Sequence, residues 1–131
     1  MRKIMIVDDN YLSAEGIEKN IDWEVLNAEI VHICYNGTSA IDAMKKEPVD
    51  LIISDIEMPD LDGISMSRQA LDINPMVKII LISAYDKFEY ARRALLLGAL
   101  DYIEKPLDYA YLIQKVKSAF ALMEKEQKNL Q

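Results

Sequence analysis

Leu51-Ile52-Ile53-Ser54-Asp55-Ile56-Glu57-Met58-Pro59-Asp60 is the stretch on which the fold turns. Its apolar start reads as a buried strand, and Pro59, which has no backbone N–H, forbids that strand from simply continuing. Asp55 is therefore placed at a strand's carboxyl end, the edge where open parallel α/β sheets bind their ligands. One such residue decides little. Three other apolar runs end in polar groups in the same way: Ile4-Met5-Ile6-Val7 runs into Asp8-Asp9, Ile79-Ile80-Leu81-Ile82 into Ser83, and Tyr102-Ile103 into Lys105-Pro106.

Working outward, each strand-like run is followed by a helical pattern. After Asp9-Asn10, residues Ala14, Ile17 and Ile21 recur at helical spacing, and Asp22-Trp23 closes the region. Asp9 or Asn10 standing alone would be read as a helix N-cap. Glu29 to Cys34 is a second strand, Asn36-Gly37 a turn, and Ala40, Ala43 and Met44 line a second helix that ends before Pro48. The third strand leads through Met58-Pro59-Asp60-Leu61-Asp62-Gly63 into a helix with Met66, Ala70 and Ile73 inward. Gly63 is expected to adopt a backbone conformation that other residues resist. Lys78 to Ile82 is the fourth strand. The fourth helix begins near Asp86, carries Phe88, Ala91 and Leu95 at helical spacing, and stops at Gly98. Leu95-Leu96-Leu97 is either a deeply packed helix end or a partner surface. Leu100 to Ile103 is the fifth strand, and from Leu107 onward Leu112, Val116, Phe120 and Met123 trace a last helix with a polar tail.

Five strands alternating with five helices, with apolar runs dominating the first, third and fourth strands, imply an α/β three-layer sandwich with a parallel sheet covered on both faces. The chain's 131 residues suit one such domain, with residues 1–123 as its body and 124–131 as the start of a linker or a C-terminal helix extension. A net charge of −7 without any lysine-arginine block argues against direct nucleic-acid binding by this segment. No apolar run approaches the roughly 20 residues of a bilayer span, and no signal peptide precedes the first strand, so a cytoplasmic protein without membrane contact is expected. His32 and the single cysteine, Cys34, lie away from the other polar strand ends and are read as structural.

In a parallel sheet the carboxyl ends share one edge, so Asp8, Asp9, Asp55, Ser83 and Lys105 should converge. Carboxylates crowded together repel, and a divalent cation relieves them. Magnesium takes hard oxygen ligands and commonly one or two carboxylates together with phosphate oxygens. Asp9 and Asp55 are expected as direct ligands with the backbone carbonyl of Glu57, and Asp8 partly through water. Phosphoryl transfer depends mainly on alignment and charge neutralisation at the equatorial oxygens. Lys105 can pair with one such oxygen and the Ser83 hydroxyl can donate to another. Asp55 is then the in-line nucleophile and phosphoacceptor. No Ser-His-Asp set and no glycine-rich phosphate loop competes with that assignment.

At these residues the chain resembles the receiver domains of two-component response regulators. Asp8-Asp9, the Asp55 stretch with Met58-Pro59 and Asp62-Gly63, Ser83-Ala84 and Lys105-Pro106 match that family's motifs in order and spacing, over residues 1 to about 123. The resemblance implies a flavodoxin-like strand order 2-1-3-4-5, a sensor histidine kinase as phosphoryl donor, and a cis peptide before Pro106. It assigns Tyr102 as an aromatic switch that follows Ser83 when phosphate arrives. It also implies an output face made by the fourth helix, fifth strand and fifth helix, a possible homodimer surface. Ser83 stands where threonine is commoner, and Glu57 and Tyr85 flank the route of attacking water. Ile21-Asp22-Trp23 and Phe88-Glu89-Tyr90-Ala91 look like receivers joined to AraC-type DNA-binding domains, which would bring DNA in only through a further C-terminal domain. Two alternatives stay open on the residues. One is a phosphate-independent interaction module. The other is a magnesium-dependent aspartyl phosphatase, for which the chain has no room for a substrate cap. On the leading reading the chain is not an enzyme beyond its own phosphotransfer and autodephosphorylation.

Overall fold

A computed structural model describes residues 1–84, 88–99 and 101–130, and at positions 88, 90 and 91 the backbone alone. Strands β1 (Arg2–Val7), β2 (Ala28–Cys34), β3 (Leu51–Asp55), β4 (Lys78–Ser83) and β5 (Asp101–Glu104) alternate with helices α1 (Tyr11–Asn20), α2 (Gly37–Lys46), α3 (Gly63–Ile73), α4 (Phe88–Leu97) and α5 (Tyr109–Asn129). The strands form one sheet in the order β2-β1-β3-β4-β5, every pairing parallel. This is the expected flavodoxin-like order.

Strand periodicity of two divides the apolar residues between the two faces of the sheet. Met5, Val7, Ile52, Ile79 and Leu81 point to the layer built from Ala40, Ile41 and Met44 of α2, Ile64, Met66 and Ala70 of α3, and Ala94 of α4. Ile4, Ile6, Leu51, Ile53, Ile80, Ile82 and Ile103 point to the opposite layer, where α1 contributes Ala14 and Ile17 and α5 contributes Leu112, Val116, Ala119 and Met123. All five residues of β3 are buried because it is the central strand and both faces are covered. Each fully buried isoleucine or leucine there stabilises the fold by about 1.5–3 kcal/mol.

Helix starts are set by side chains that accept otherwise orphaned backbone N–H groups. Asn10, Asn36, Asp62 and Asp108 cap α1, α2, α3 and α5, each contributing about 1 kcal/mol. Asn36-Gly37 is thus not a separate turn but the cap and first residue of α2, and Asn10 takes the N-cap of α1, leaving Asp9 free of that task. At the other end of α4, Gly98 has φ +93° and terminates the helix in the left-handed region, as expected.

Several boundaries move. The fifth strand is Asp101–Glu104, and the last helix starts at Tyr109 behind its Asp108 cap, not at Leu107. Asp86 and the side chains of Phe88, Tyr90 and Ala91 lie outside the described residues. Leu95 is not on the buried face of α4: it and Leu96 are 75% and 74% exposed, Ala94 faces the core, and Leu97 packs partly against it. A packed helix end therefore describes Leu97 and not its two neighbours. Helix α5 runs unbroken past residue 123, and Lys78 Nζ at the start of β4 meets Glu126 Oε1 at 2.8 Å, anchoring its last turns to the sheet. At 1.5 Å per residue it is roughly 31 Å long, well beyond the span of a strand of five or six residues.

Candidate functional site

The polar residues that end the strands are held by backbone bonds that carry the sheet one step past its regular ladders. Asp8 N donates to Cys34 O at 3.0 Å, Ile56 N to Ile82 O at 2.9 Å, and Lys105 N to Ser83 O at 2.7 Å. The side chains of Asp8, Asp55 and Lys105 thus emerge from rigid backbone on a single edge. Gly63 closes the floor from below. The backbone conformation that other residues resist, expected of Gly63, is not found, since its φ is not positive; its need for glycine is space, because a Cβ there would lie 2.1 Å from the Asp55 carbonyl oxygen. Gly63 N also donates to Ile56 O at 2.8 Å, locking the segment after Asp55 onto the start of α3. The left-handed residue of this connection is Asp60, with φ +68°.

Asp8, Asp9 and Asp55 each present a carboxylate oxygen within 4.8 Å of the others. Asp8 and Asp55 are buried and Asp9 is exposed. Lys105 Nζ lies 3.4 Å from Asp8 Oδ2 and 3.8 Å from Asp55 Oδ1, so one ammonium is shared between two carboxylates. That is insufficient compensation. Burial first, and then the neighbouring Asp8 charge, push the Asp55 carboxyl up to about 7 against the partial relief given by Lys105. Burial also raises Asp8, although Asn10 N donates to its Oδ1 at 2.9 Å and Lys105 opposes the shift. Three crowded hard oxygen donors, two of them withdrawn from water, form a donor set suited to a small divalent cation.

Ser83 is fully buried at the end of β4, and its Oγ donates to Glu57 Oε1 at 3.4 Å. The Glu57 side chain had been expected only beside the water route; here its carboxylate reaches the Ser83 hydroxyl. Tyr102, half-buried on β5, packs against the core layer of α2, α3 and α4. The Lys105–Pro106 peptide is cis, as the resemblance implied. Tyr85 lies outside the described residues.

His32 and Cys34 stay out of this group. His32 Nε2 is 2.9 Å from Glu47 O, and Cys34 is buried, with burial pushing its thiol up. Sequence reasoning missed what flanks the site. A cavity of about 220 Å³ beside Asp8 and Lys105 is lined by Ser13, Ile17, Ile82, Leu107 and Tyr109. The Tyr11 and Tyr35 rings stack with centroids 5.3 Å apart, next in sequence to Asn10 and Cys34. Ser13 and Ile17, four apart on α1, were a helical-face signal for the cavity. Nothing local pairs Tyr11 with Tyr35, which meet only because β1 and β2 are neighbours. Among the described residues no helix is long and apolar enough to cross a membrane.

Comparison with known proteins agrees with this geometry. The family model for the response regulator receiver domain matches residues 4–117. The chain is 28% identical over 126 residues to the transcriptional regulatory protein YesN of Bacillus subtilis, covering 96% of this chain and 34% of YesN, so it spans about a third of that relative. Among solved structures, the receiver domain of AraT, a response regulator from Geobacillus stearothermophilus, superposes with a TM-score of 0.83 at 31% identity, covering 99% of this chain and 98% of that one. A two-component transcriptional regulator AraC from Clostridium phytofermentans superposes with a TM-score of 0.86 at 29% identity, covering 98% and 99% of the two chains. Five parallel strands in this order, an acidic edge shared with one lysine, and a family match over most of its length place the chain among the receiver domains of two-component response regulators.

Proposed function

We propose that this receiver is phosphorylated on Asp55 by a sensor histidine kinase and that the phosphorylated form shifts conformation to control an output that acts in transcription. The observation that carries the reading is the set of three carboxylates within 4.8 Å with Lys105 bridging Asp8 and Asp55. A carboxylate in that setting has reason to be esterified only if something positive offsets its neighbours. Asp9, Asp55 and the backbone carbonyl of Glu57, with Asp8 partly through water, would hold magnesium, which would supply that positive charge and offset the charge on phosphoryl oxygens.

The chain's own residues do the rest. An ionised Asp55 oxygen attacks phosphorus, the phosphorus–nitrogen bond of the donor phosphohistidine breaks, and its electron pair leaves with the imidazole. The product is an acyl phosphate, which carries about two negative charges where the carboxylate carried one. Lys105, already between Asp8 and Asp55, pairs with a phosphoryl oxygen, and Ser83 donates its hydroxyl to another. The Ser83 hydroxyl, drawn inward by phosphate, vacates space that the Tyr102 ring fills, so the change reaches the face of α4, β5 and α5. Water attack on phosphorus later returns Asp55 and inorganic phosphate. Glu57 and Tyr85 tune that step, and the chain catalyses nothing beyond this cycle.

Residues 1–123 act as the receiver body, with 124–131 a helix extension or the start of a linker toward an output domain. YesN, named as a transcriptional regulatory protein, supports an output in transcription, and the Clostridium regulator, named AraC, supports an AraC-type one. DNA would then be contacted by that domain and not by this acidic segment. Exposed Leu95 and Leu96 on α4 support a homodimer through the α4-β5-α5 face.

The test is incubation with acetyl phosphate and magnesium followed by intact mass. Gain of one phosphoryl group, absent in Asp55→Asn, is expected. No gain would replace this reading with a phosphate-independent interaction module, and turnover of a small phosphomonoester would replace it with an aspartyl phosphatase.

A further inference from the structure

Ser83 is completely buried, and its Oγ donates to Glu57 Oε1 over 3.4 Å, between the ends of β4 and β3. We propose that the Glu57 carboxylate is a latch on Ser83, holding the hydroxyl in the arrangement that belongs to the unphosphorylated state. This rests on the reading of Asp55 as phosphoacceptor. It goes beyond that reading by giving Glu57 a positioning role that acts through a second residue.

The argument is one of donor count. A serine hydroxyl has a single proton to donate, so whatever Ser83 accepts from elsewhere, it cannot donate to Glu57 and to a phosphoryl oxygen together. Both acceptors are anionic and sit on the same polar edge, where a charge-assisted bond is stronger than a neutral one. Phosphorylation therefore has to break the long bond to Glu57 before the phosphoryl one forms, instead of gaining a bond outright, and the net drive toward the switched arrangement falls accordingly. Glu57 comes two residues after Asp55, beyond the last ladder pair of β3, so a change of its side chain leaves the strand pairing in place. Ser83, at the end of β4, is fixed by Lys105 N donating to its carbonyl at 2.7 Å, so only its hydroxyl turns. The latch is a property of the pair. A carboxylate that merely repelled phosphate would act whether or not Ser83 had a hydroxyl.

Beryllofluoride with magnesium, a stand-in for the phosphoryl group, separates these effects. Its affinity is measured for the wild-type chain, Glu57→Met, Glu57→Gln, Ser83→Ala and the Glu57→Met/Ser83→Ala pair. Glu57→Met is expected to raise affinity about ten-fold when Ser83 is present and only about two-fold in the Ser83→Ala background. Glu57→Gln, which keeps an acceptor but loses the charge, should fall between wild type and Glu57→Met. Equal gains in both backgrounds, or no gain with Ser83 present, would overturn the latch while leaving Asp55 as acceptor. Failure of the wild-type chain to bind beryllofluoride at all would instead overturn the phosphoacceptor reading, and the latch with it.

Discussion

Replacing Asp55 by asparagine should make the metal-free protein more stable at neutral and alkaline pH. Its buried carboxyl is pushed from 3.8 up to about 7 by desolvation and by Asp8. In the unfolded chain it ionises near its ordinary value, so between about pH 4 and pH 7 the folded state binds the proton that the unfolded state has lost. Stability then falls as pH rises through that window and levels off above it. A displacement of roughly three units at 1.36 kcal/mol each sets a ceiling of about 4 kcal/mol. Asparagine keeps the shape and removes the charge but leaves an amide to satisfy, so a net gain of about 1–3 kcal/mol at pH 8 is expected, or roughly 4–12 °C in Tm for a domain of this size. At pH 5 most of the wild-type penalty is gone and the gap should shrink by about 2 kcal/mol. Urea unfolding of both chains at the two pH values, in chelator and then in magnesium, measures all of this. Magnesium should raise the wild-type midpoint more than that of the variant. A variant no more stable than wild type at pH 8, or a gap independent of pH, would refute the claim that crowded carboxylates store this energy.

Two further perturbations test the scaffold and the output face. Gly63→Ala would drive a Cβ to 2.1 Å from the Asp55 carbonyl oxygen; the backbone has to shift, costing about 3 kcal/mol or more and slowing phosphorylation by acetyl phosphate, and a Tm within a degree of wild type would show the contact to be soft. Leu95→Lys with Leu96→Lys replaces two side chains that are already exposed; stability should change by less than about 0.5 kcal/mol, whereas any phosphorylation-dependent dimer seen by light scattering should be lost, and an unchanged dimer would move that interface elsewhere.

The family and its acidic edge were legible because they depend on strand ends, and strand ends are local. An apolar run stopped by Asp55 and Pro59, or by Asp8-Asp9, carries its own boundary, and parallel pairing then collects the ends on one side without further information. Features built by contacts between distant segments were not legible. Gly63 looked like a residue of unusual dihedral angle, since a lone glycine signals conformational freedom more readily than proximity, and only its approach to Asp55 O shows that the constraint is steric. Leu95 and Leu97 lie in one apolar run, yet the pitch of α4 against the sheet turns Leu95 outward and Leu97 partly inward. The Ser83–Glu57 contact joins the ends of two strands 26 residues apart, and the raised pKa of Asp55 follows from how deeply Asp55 and Asp8 are buried together beside the exposed Asp9. The amino-acid sequence by itself determined which residues reach the edge, because side-chain alternation and strand termination are properties of a few neighbouring residues. Tertiary structure alone decided how those residues face one another, because distance and desolvation exist only once the layers have closed.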